Sequence, residues 1–313
     1  MIKQIIARIL SVKSYLPKRV LTNKDLEKLV ETSDEWIISR TGMHERRIAD
    51  ADECPSDMGA IAALRALESA SVTAMDIDLI LVATMSPDYL SPSTSCLIQA
   101  KIGAERAAAM DIQAACTGFL YGLSIAKAYI ESGLYQNILL IAAEKMSAFI
   151  DYQDRTTCVL FGDGAAAAVI SYKGVGFKID NVSLGADGTL AGLVSIPAGG
   201  SKYPATLETV AKGQHYFKMV GNEVFKHAVR RMTLAARACL QAVGLEENQV
   251  SWLVPHQANK RIIDAMAKQF NIPEEKVYKT VHKYGNTSAS SIAIALDELL
   301  QEHQFIEGDL SYE

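Results

Sequence analysis

No apolar run in this chain approaches the roughly 18 to 20 residues that a membrane-spanning helix needs, so the sequence predicts no transmembrane segment. The opening residues, MIKQIIARIL, have neither the length nor the cleavage site of a secretory signal. Long basic runs are also missing. With 31 Lys and Arg against 36 Asp and Glu, the formal charge is −5, which argues against nucleic acid as the main partner. No Cys-x-x-Cys pair occurs. The five cysteines (Cys54, Cys96, Cys116, Cys158, Cys239) are odd in number and far apart, and none of the six histidines pairs with one at metal-ligand spacing. These absences predict a cytoplasmic protein with reduced thiols, no metal and no membrane partner.

What is present is enough chain for two domains or one large duplicated core. It has 313 residues, 49% of them apolar and 21% charged. One stretch organises the rest: Ala107 to Gly122, AAAMDIQAACTGFLYG. An apolar run of strand length ends in Asp111-Ile112-Gln113, small residues lead to Cys116, and Phe119, Leu120 and Leu123 then recur at helical spacing. Cys116 is therefore expected at a strand-to-helix junction. Unpaired N–H groups and the helix dipole there stabilise a thiolate and would lower its pKa. The competing expectation is a small apolar filler beneath a tight turn.

Around this stretch, β-prone and helical segments alternate. A β-prone run covers Gln4 to Val12. Thr32-Ser33-Asp34-Glu35-Trp36 looks like a capped helix start, ended by Arg40-Thr41-Gly42, with Trp36 and Arg40 on one face. An alanine-rich helix spans Ser56 to Ser71, and Ile77 to Thr84 is a continuous apolar strand of the kind buried in parallel sheets. A helix around Cys96 to Ile102, a strand at Ile138 to Ala142, a Gly162-Asp163-Gly164 turn and a strand at Ala165 to Ile170 follow.

Past Gly174 the pattern restarts. Ala66 meets Cys239, Leu67 meets Leu240, Val72 meets Leu245, and Leu79 to Val82 meets Trp252 to Pro255. Helix Ala126 to Ser132 with strand Ile138 to Ala142 matches helix Ala295 to Glu302 with Asp309 to Glu313. The repeat predicts a duplicated α/β unit in two halves, 1–173 and 174–313, with helices packed between sheets. The second half is expected to lack its last strand. Two further stretches carry site chemistry. His256, in Val254-Pro255-His256-Gln257-Ala258-Asn259, falls at the C-terminal end of an expected strand, where α/β sheets build their sites. Asn286, in HKYGNTSAS, falls just before an alanine-rich helix. Alone, His256 reads as a structural histidine and Asn286 as a cap; equivalent ends of two related units would instead turn both toward Cys116.

The Cys116 segment, PHQAN at Pro255 to Asn259 and GNTSAS at Gly285 to Ser290 resemble β-ketoacyl-[acyl-carrier-protein] synthase III of the thiolase superfamily. SDEWIISRTG at Ser33 to Gly42, FGDGA at Phe161 to Ala165 and GNEVFK at Gly221 to Lys226 extend the likeness over nearly the whole chain. The resemblance implies a thiolase-like α-β-α-β-α sandwich and a Cys-His-Asn triad of Cys116, His256 and Asn286. It implies an acyltransferase: an acyl group passes from acyl-coenzyme A to Cys116, and malonyl-acyl carrier protein is decarboxylated so that its carbanion attacks the thioester. Coenzyme A is then a substrate, and no cofactor is implied. His256 and Asn286 suit the stabilisation of negative charge on the malonyl thioester oxygen.

By the same resemblance, Trp36, Arg40 and Arg155 hold the coenzyme A nucleotide, and Asn222, Phe225, Ala258, Asn259 and Ile262 line the pantetheine tunnel. Lys226 and Arg261 meet the acidic carrier protein, and the assembly is a homodimer. Where well-studied members place a bulky Phe across the dimer, this chain has Ser91, which predicts room for acyl primers longer than acetyl. The expected loss of a final strand and glycine loop would remove one oxyanion donor and predicts a truncated or altered enzyme. Thiolases and hydroxymethylglutaryl-coenzyme A synthases use a second cysteine or a glutamate as base, which GNTSAS does not supply. A Cys-His hydrolase has no route here for activated water. A weakly active or non-catalytic acyl- or carrier-protein-binding homologue is the alternative from another class.

Overall fold

The computed structural model describes residues 5–303. In chain order its main elements are β1 (Arg8–Tyr15), α1 (Asp34–Thr41), α2 (Pro55–Ala70), β2 (Leu79–Ala83), α3 (Thr94–Ile102), β3 (Ala108–Ile112), α4 (Gly118–Glu131), β4 (Asn137–Glu144), β5 (Gly164–Ser171), β6 (Phe177–Lys178), α5 (Gly221–Val243), α6 (Lys260–Gln269) and α7 (Ser291–Glu302). The strands form one mixed sheet in the order β3-β2-β4-β5-β1-β6. β2 runs parallel to β3 and β4, whereas β5 is antiparallel to β4 and β1.

Every residue of β4 and β5 is buried, which is why both read as unbroken apolar or alanine runs instead of alternating ones. On one face, Ala62, Ala63 and Ala66 of α2 pack with Leu139, Ile141, Ala165 and Ala167. Phe119 and Leu123 of α4 and Ile294 and Leu296 of α7 cover the other face, against Leu81, Leu140 and Ala168. The approach is close: a Cβ on Gly122 would stand 2.2 Å from Leu140 Cδ1. α1 begins at Ser33, whose hydroxyl accepts from Trp36 N–H, and ends at Gly42 with φ +74°, as the SDEWIISRTG stretch predicts.

The second half does not sit apart from the first. β6 lies beyond residue 173 yet extends the same sheet through β1, and α7 packs on β1 and β5. α5 and α6 build their own apolar cluster, with Val229, Leu240, Ile262 and Ile263 joined to Leu21, Ile37 and Phe161. Trp252-Leu253-Val254 repeats β2 in sequence but forms no ladder among the described residues. Leu253 makes a single bridge to Val277, with Leu253 N–H donating to Lys276 O at 2.8 Å and Tyr278 N–H to Leu253 O at 2.9 Å. A strand exists only through its neighbours, and the partner expected at Asp309 to Glu313 lies outside the described residues. Among the described residues no helix is long and apolar enough to cross a membrane.

Candidate active site

Cys116 lies on the single 3₁₀ turn Ala115–Thr117, between the C-terminal end of β3 and the first residue of α4. Gly118 seats the turn against the end of β2: a Cβ there would come within 2.9 Å of Ala83 Cβ. Ala115, just before the nucleophile, has φ +46°, a left-handed conformation that costs a non-glycine residue about 1 kcal/mol or more.

The thiol corrects one expectation. The helix start does not leave it ionised: burial first, and then the negative charge of Glu144, push Cys116 up to about 11. A helix terminus contributes about 0.3–1 kcal/mol in an exposed setting, too little to offset desolvation here. Resting Cys116 is therefore a thiol, and its proton needs an acceptor before attack.

His256 follows the extended Leu253 stretch and is held through its inner nitrogen. Nδ1 lies 2.6 Å from Ser291 Oγ, at the first residue of α7. That same oxygen accepts the Gln257 N–H at 3.3 Å, and with the Ser291 hydroxyl proton turned to Nδ1 the imidazole proton lies on Nε2. Burial holds the ring down to about 4, so it is neutral at physiological pH. A neutral ring protonated on Nε2 is a hydrogen-bond donor and a poor base.

Gln257 fixes the loop that carries this ring. Its Nε2 donates to Pro255 O at 2.7 Å and Tyr278 O at 3.2 Å, and its Oε1 accepts from Thr280 and Val281 N–H at 2.9 and 3.2 Å. Asn286 is held as tightly. Its N–H donates to Leu160 O at 2.8 Å, its carbonyl accepts from Gly162 N–H at 3.1 Å, and its Oδ1 accepts from Ser288 N–H at 2.8 Å. With Oδ1 engaged, Nδ2 is left to donate. The FGDG turn thus anchors the loop that bears the carboxamide.

Cys116, His256 and Asn286 line one cavity of about 1220 Å³. Trp36, Arg40 and Arg155 belong to its wall, with the Arg155 guanidinium 4.6 Å from the Trp36 ring centre. So do Asn222, Phe225 and Lys226 from the first turns of α5, and Ala258, Asn259, Arg261 and Ile262 at the start of α6. Asn259 caps α6 by accepting Arg261 N–H at 2.8 Å and donates to Arg40 O at 3.3 Å, tying α6 to α1. Arg261 lies 5.5 Å over the Phe225 ring, while Lys226 pairs with Glu223 at 2.8 Å. Ser91 is not brought to this wall; it sits on an exposed loop before Pro92.

Four residues given no role by the sequence complete the site: Glu144, Gln257, Ser288 and Ser291. The only signal for Glu144 was a carboxylate closing an otherwise apolar strand. For Ser288 and Ser291 it was a serine-rich run beside Asn286.

Comparison with known proteins agrees with this geometry. Family models for 3-oxoacyl-[acyl-carrier-protein] synthase III and for its C-terminal part match residues 110–188 and 240–312. A β-ketoacyl-[acyl-carrier-protein] synthase III of Chlamydia caviae is 57% identical over 97% of this chain and 91% of its own. One from Caldanaerobacter subterraneus is 50% identical over 99% and 94%. The crystal structure of the synthase III from Aquifex aeolicus superposes with a TM-score of 0.85 at 44% identity, covering 97% of this chain and 92% of that one. Identity of this order across nearly the full length, with a cysteine, a neutral imidazole and a carboxamide on one cavity wall, leaves one conclusion: the chain belongs to the 3-oxoacyl-[acyl-carrier-protein] synthase III family, acyltransferases of fatty acid synthesis.

Proposed function

We propose that this chain joins an acyl-coenzyme A primer to malonyl-acyl carrier protein by decarboxylative condensation through an acyl-Cys116 thioester. The observation that carries the reading is the placement of Cys116 on one cavity wall with two neutral donors, His256 Nε2–H and Asn286 Nδ2–H, whose other polar atoms are already engaged. In the first half-reaction Cys116 sulfur attacks the acyl carbon and coenzyme A leaves. In the second, loss of carbon dioxide builds negative charge on the malonyl thioester oxygen, which the two donors receive. Neither donor can remove a proton from an acetyl group, so decarboxylation supplies the carbanion. One such preorganised donor is worth about 3 to 4 kcal/mol.

The Trp36 ring beneath Arg155, with Arg40 beside it, suits an adenine and its phosphates. Asn222, Phe225, Ala258, Asn259 and Ile262 suit the pantetheine arm. Lys226 and Arg261 offer positive charge to an acidic carrier protein, which matters for steering on a chain of net charge −5. β3 is an outer strand with Met110 partly exposed, and a second copy against it makes a homodimer. Ser91 would then bear on primer length by entering the partner's cavity. The two repeats supply the thiol from residues 1–173 and the two donors from 174–313, and the enzyme works in the cytoplasm.

Incubation with radioactive acetyl-coenzyme A tests the reading. A thioester on Cys116 that disappears on adding malonyl-acyl carrier protein supports it. A stable absence of label indicates a binding homologue, and a label that water removes indicates a hydrolase.

A further inference from the structure

Glu144 is wholly buried at the end of β4, beneath Cys116, and condensation as described makes no use of it. Its carboxylate is ringed by donors. Oε2 accepts from Ser86 Oγ at 2.5 Å and Thr84 Oγ1 at 3.3 Å, and Met85 N–H reaches both oxygens at 3.2 and 3.3 Å. Oε1 accepts from Ser288 Oγ at 3.0 Å. Ser288 is itself fully buried, with φ +52°, and its turn, Ser288–Ser290, packs against the Ala115–Thr117 turn that carries the Cys116 thiol. A hydroxyl has one proton to give. Since the carboxylate can only accept, Ser288 donates to Glu144 and turns a lone pair to the thiol.

We propose that Ser288 and Glu144 form a proton path from Cys116, and that Glu144 keeps the thiol proton while the acyl group occupies the sulfur. The inference rests on the acyl-enzyme reading above. As the sulfur attacks, the thiol proton moves to Ser288 Oγ and the Ser288 proton moves to Glu144 Oε1. The new S–C bond forms, the bond from acyl carbon to coenzyme A sulfur breaks, and the departing thiolate takes a proton from solvent. When the malonyl carbanion later expels Cys116 as thiolate, Glu144 returns its proton by the same path. One solvent proton is consumed per cycle, matching the loss of carbon dioxide from a carboxylate. Acting through Ser288, Glu144 is a positioning residue for the nucleophile.

At neutral pH Glu144 can act as either proton acceptor or proton donor. Burial, opposed by the bonds from Ser86, Met85, Ser288 and Ala289, raises Glu144 to about 7. The other charged groups near this strand end are committed elsewhere. Lys145 Nζ binds the carbonyls of Asp50, Ala51 and Glu53, and Asp163, beside the partner residue Gly164, is bonded to Ala49 and Ser147.

The test is single-turnover transfer from acetyl-coenzyme A to Cys116 across pH in the full chain, comparing wild type, E144Q, E144D and S288A, with folding checked by thermal melting. Wild type should gain rate through the neutral range and then level. E144Q and S288A should each lose about a hundredfold, the usual reach of general-base assistance, and should lack that inflection. E144D should restore part of the rate and the inflection. An E144Q that keeps the inflection, slow or fast, overturns the proposal, because a merely structural role would leave the pH profile in place. If E144Q does not fold, S288A decides on the same criterion. Wild type that takes up no acyl group refutes the acyl-enzyme reading, a different result from acyl uptake that is indifferent to Glu144.

Discussion

His256 Nδ1 and Ser291 Oγ meet at 2.6 Å across 35 residues of sequence, and this contact decides what the imidazole can do. With Ser291 accepting the Gln257 N–H and donating its own proton to Nδ1, the ring is a donor through Nε2. Ser291→Ala removes the proton that assigns the tautomer. Condensation should slow by roughly fivefold, the worth of one hydrogen bond of about 1 kcal/mol. Acylation of Cys116 from acyl-coenzyme A, measured in one turnover, should be unchanged. Equal loss in both half-reactions would contradict the assignment.

Gln257 satisfies four buried backbone groups at once. Gln257→Leu leaves Pro255 O, Tyr278 O and the Thr280 and Val281 N–H groups without this partner, each costing about 1 kcal/mol or more. Urea unfolding should show a loss of at least about 2 kcal/mol, together with slower condensation as His256 shifts.

Gly285, beside Asn286, has φ +64°, and a Cβ there would stand 2.8 Å from Leu160 O, which is also the acceptor for Asn286 N–H. Backbone cannot yield as a flexible side chain does. Gly285→Ala should cost about 1–3 kcal/mol of stability. It should depress kcat for condensation more than it raises KM for acyl-coenzyme A.

Glu144, which is buried, and His256, which is partly buried on the cavity wall, should give opposing pH dependences of stability. Glu144, raised from 4.5 to about 7, is more protonated when folded, so its contribution is lost as pH rises from about 4.5 to 7. His256, lowered from 6.5 to about 4, is less protonated when folded, so its contribution is lost as pH falls from about 6.5 to 4. In the shared range the two slopes, each up to about 1.4 kcal/mol per pH unit, offset one another. Unfolding at pH 5 and 6 should show E144Q losing stability on acidification relative to wild type and H256A gaining it. Parallel curves for all three proteins would contradict the shifts.

Arg155 covers the Trp36 ring at 4.6 Å on the cavity wall. Trp36→Ala should raise KM for acyl-coenzyme A by about tenfold, in keeping with stacking worth 1–2 kcal/mol, and leave KM for malonyl-acyl carrier protein unaltered. A rise in both would indicate that Trp36 shapes the cavity instead of binding a nucleotide.

The order of α2, β2, the Cys116 junction, α4 and β4 was legible in the sequence because apolar period and length report burial directly. Cys116, His256 and Asn286 stood out because each follows or precedes an element at a chemically distinctive stretch. The ionisation of Cys116 was not legible. Helix position is a local property and predicts a lowered pKa, whereas the burial and the Glu144 charge that raise it come from other segments. Strand pairing is likewise not a local property: at Trp252 to Val254, Leu253 makes one bridge among the described residues, and pairing belongs to two segments and not to either alone.

By itself the amino-acid sequence determined which segments would be buried, where the chain would turn, and which side chains could act as nucleophile and donors, since those follow from hydropathy, periodicity and functional-group chemistry. Tertiary structure alone decided that Ser291 holds the inner nitrogen of His256 and that a serine and a glutamate stand behind the thiol. Those outcomes depend on hydrogen bonds between residues 35 and 144 positions apart, and no local pattern encodes them.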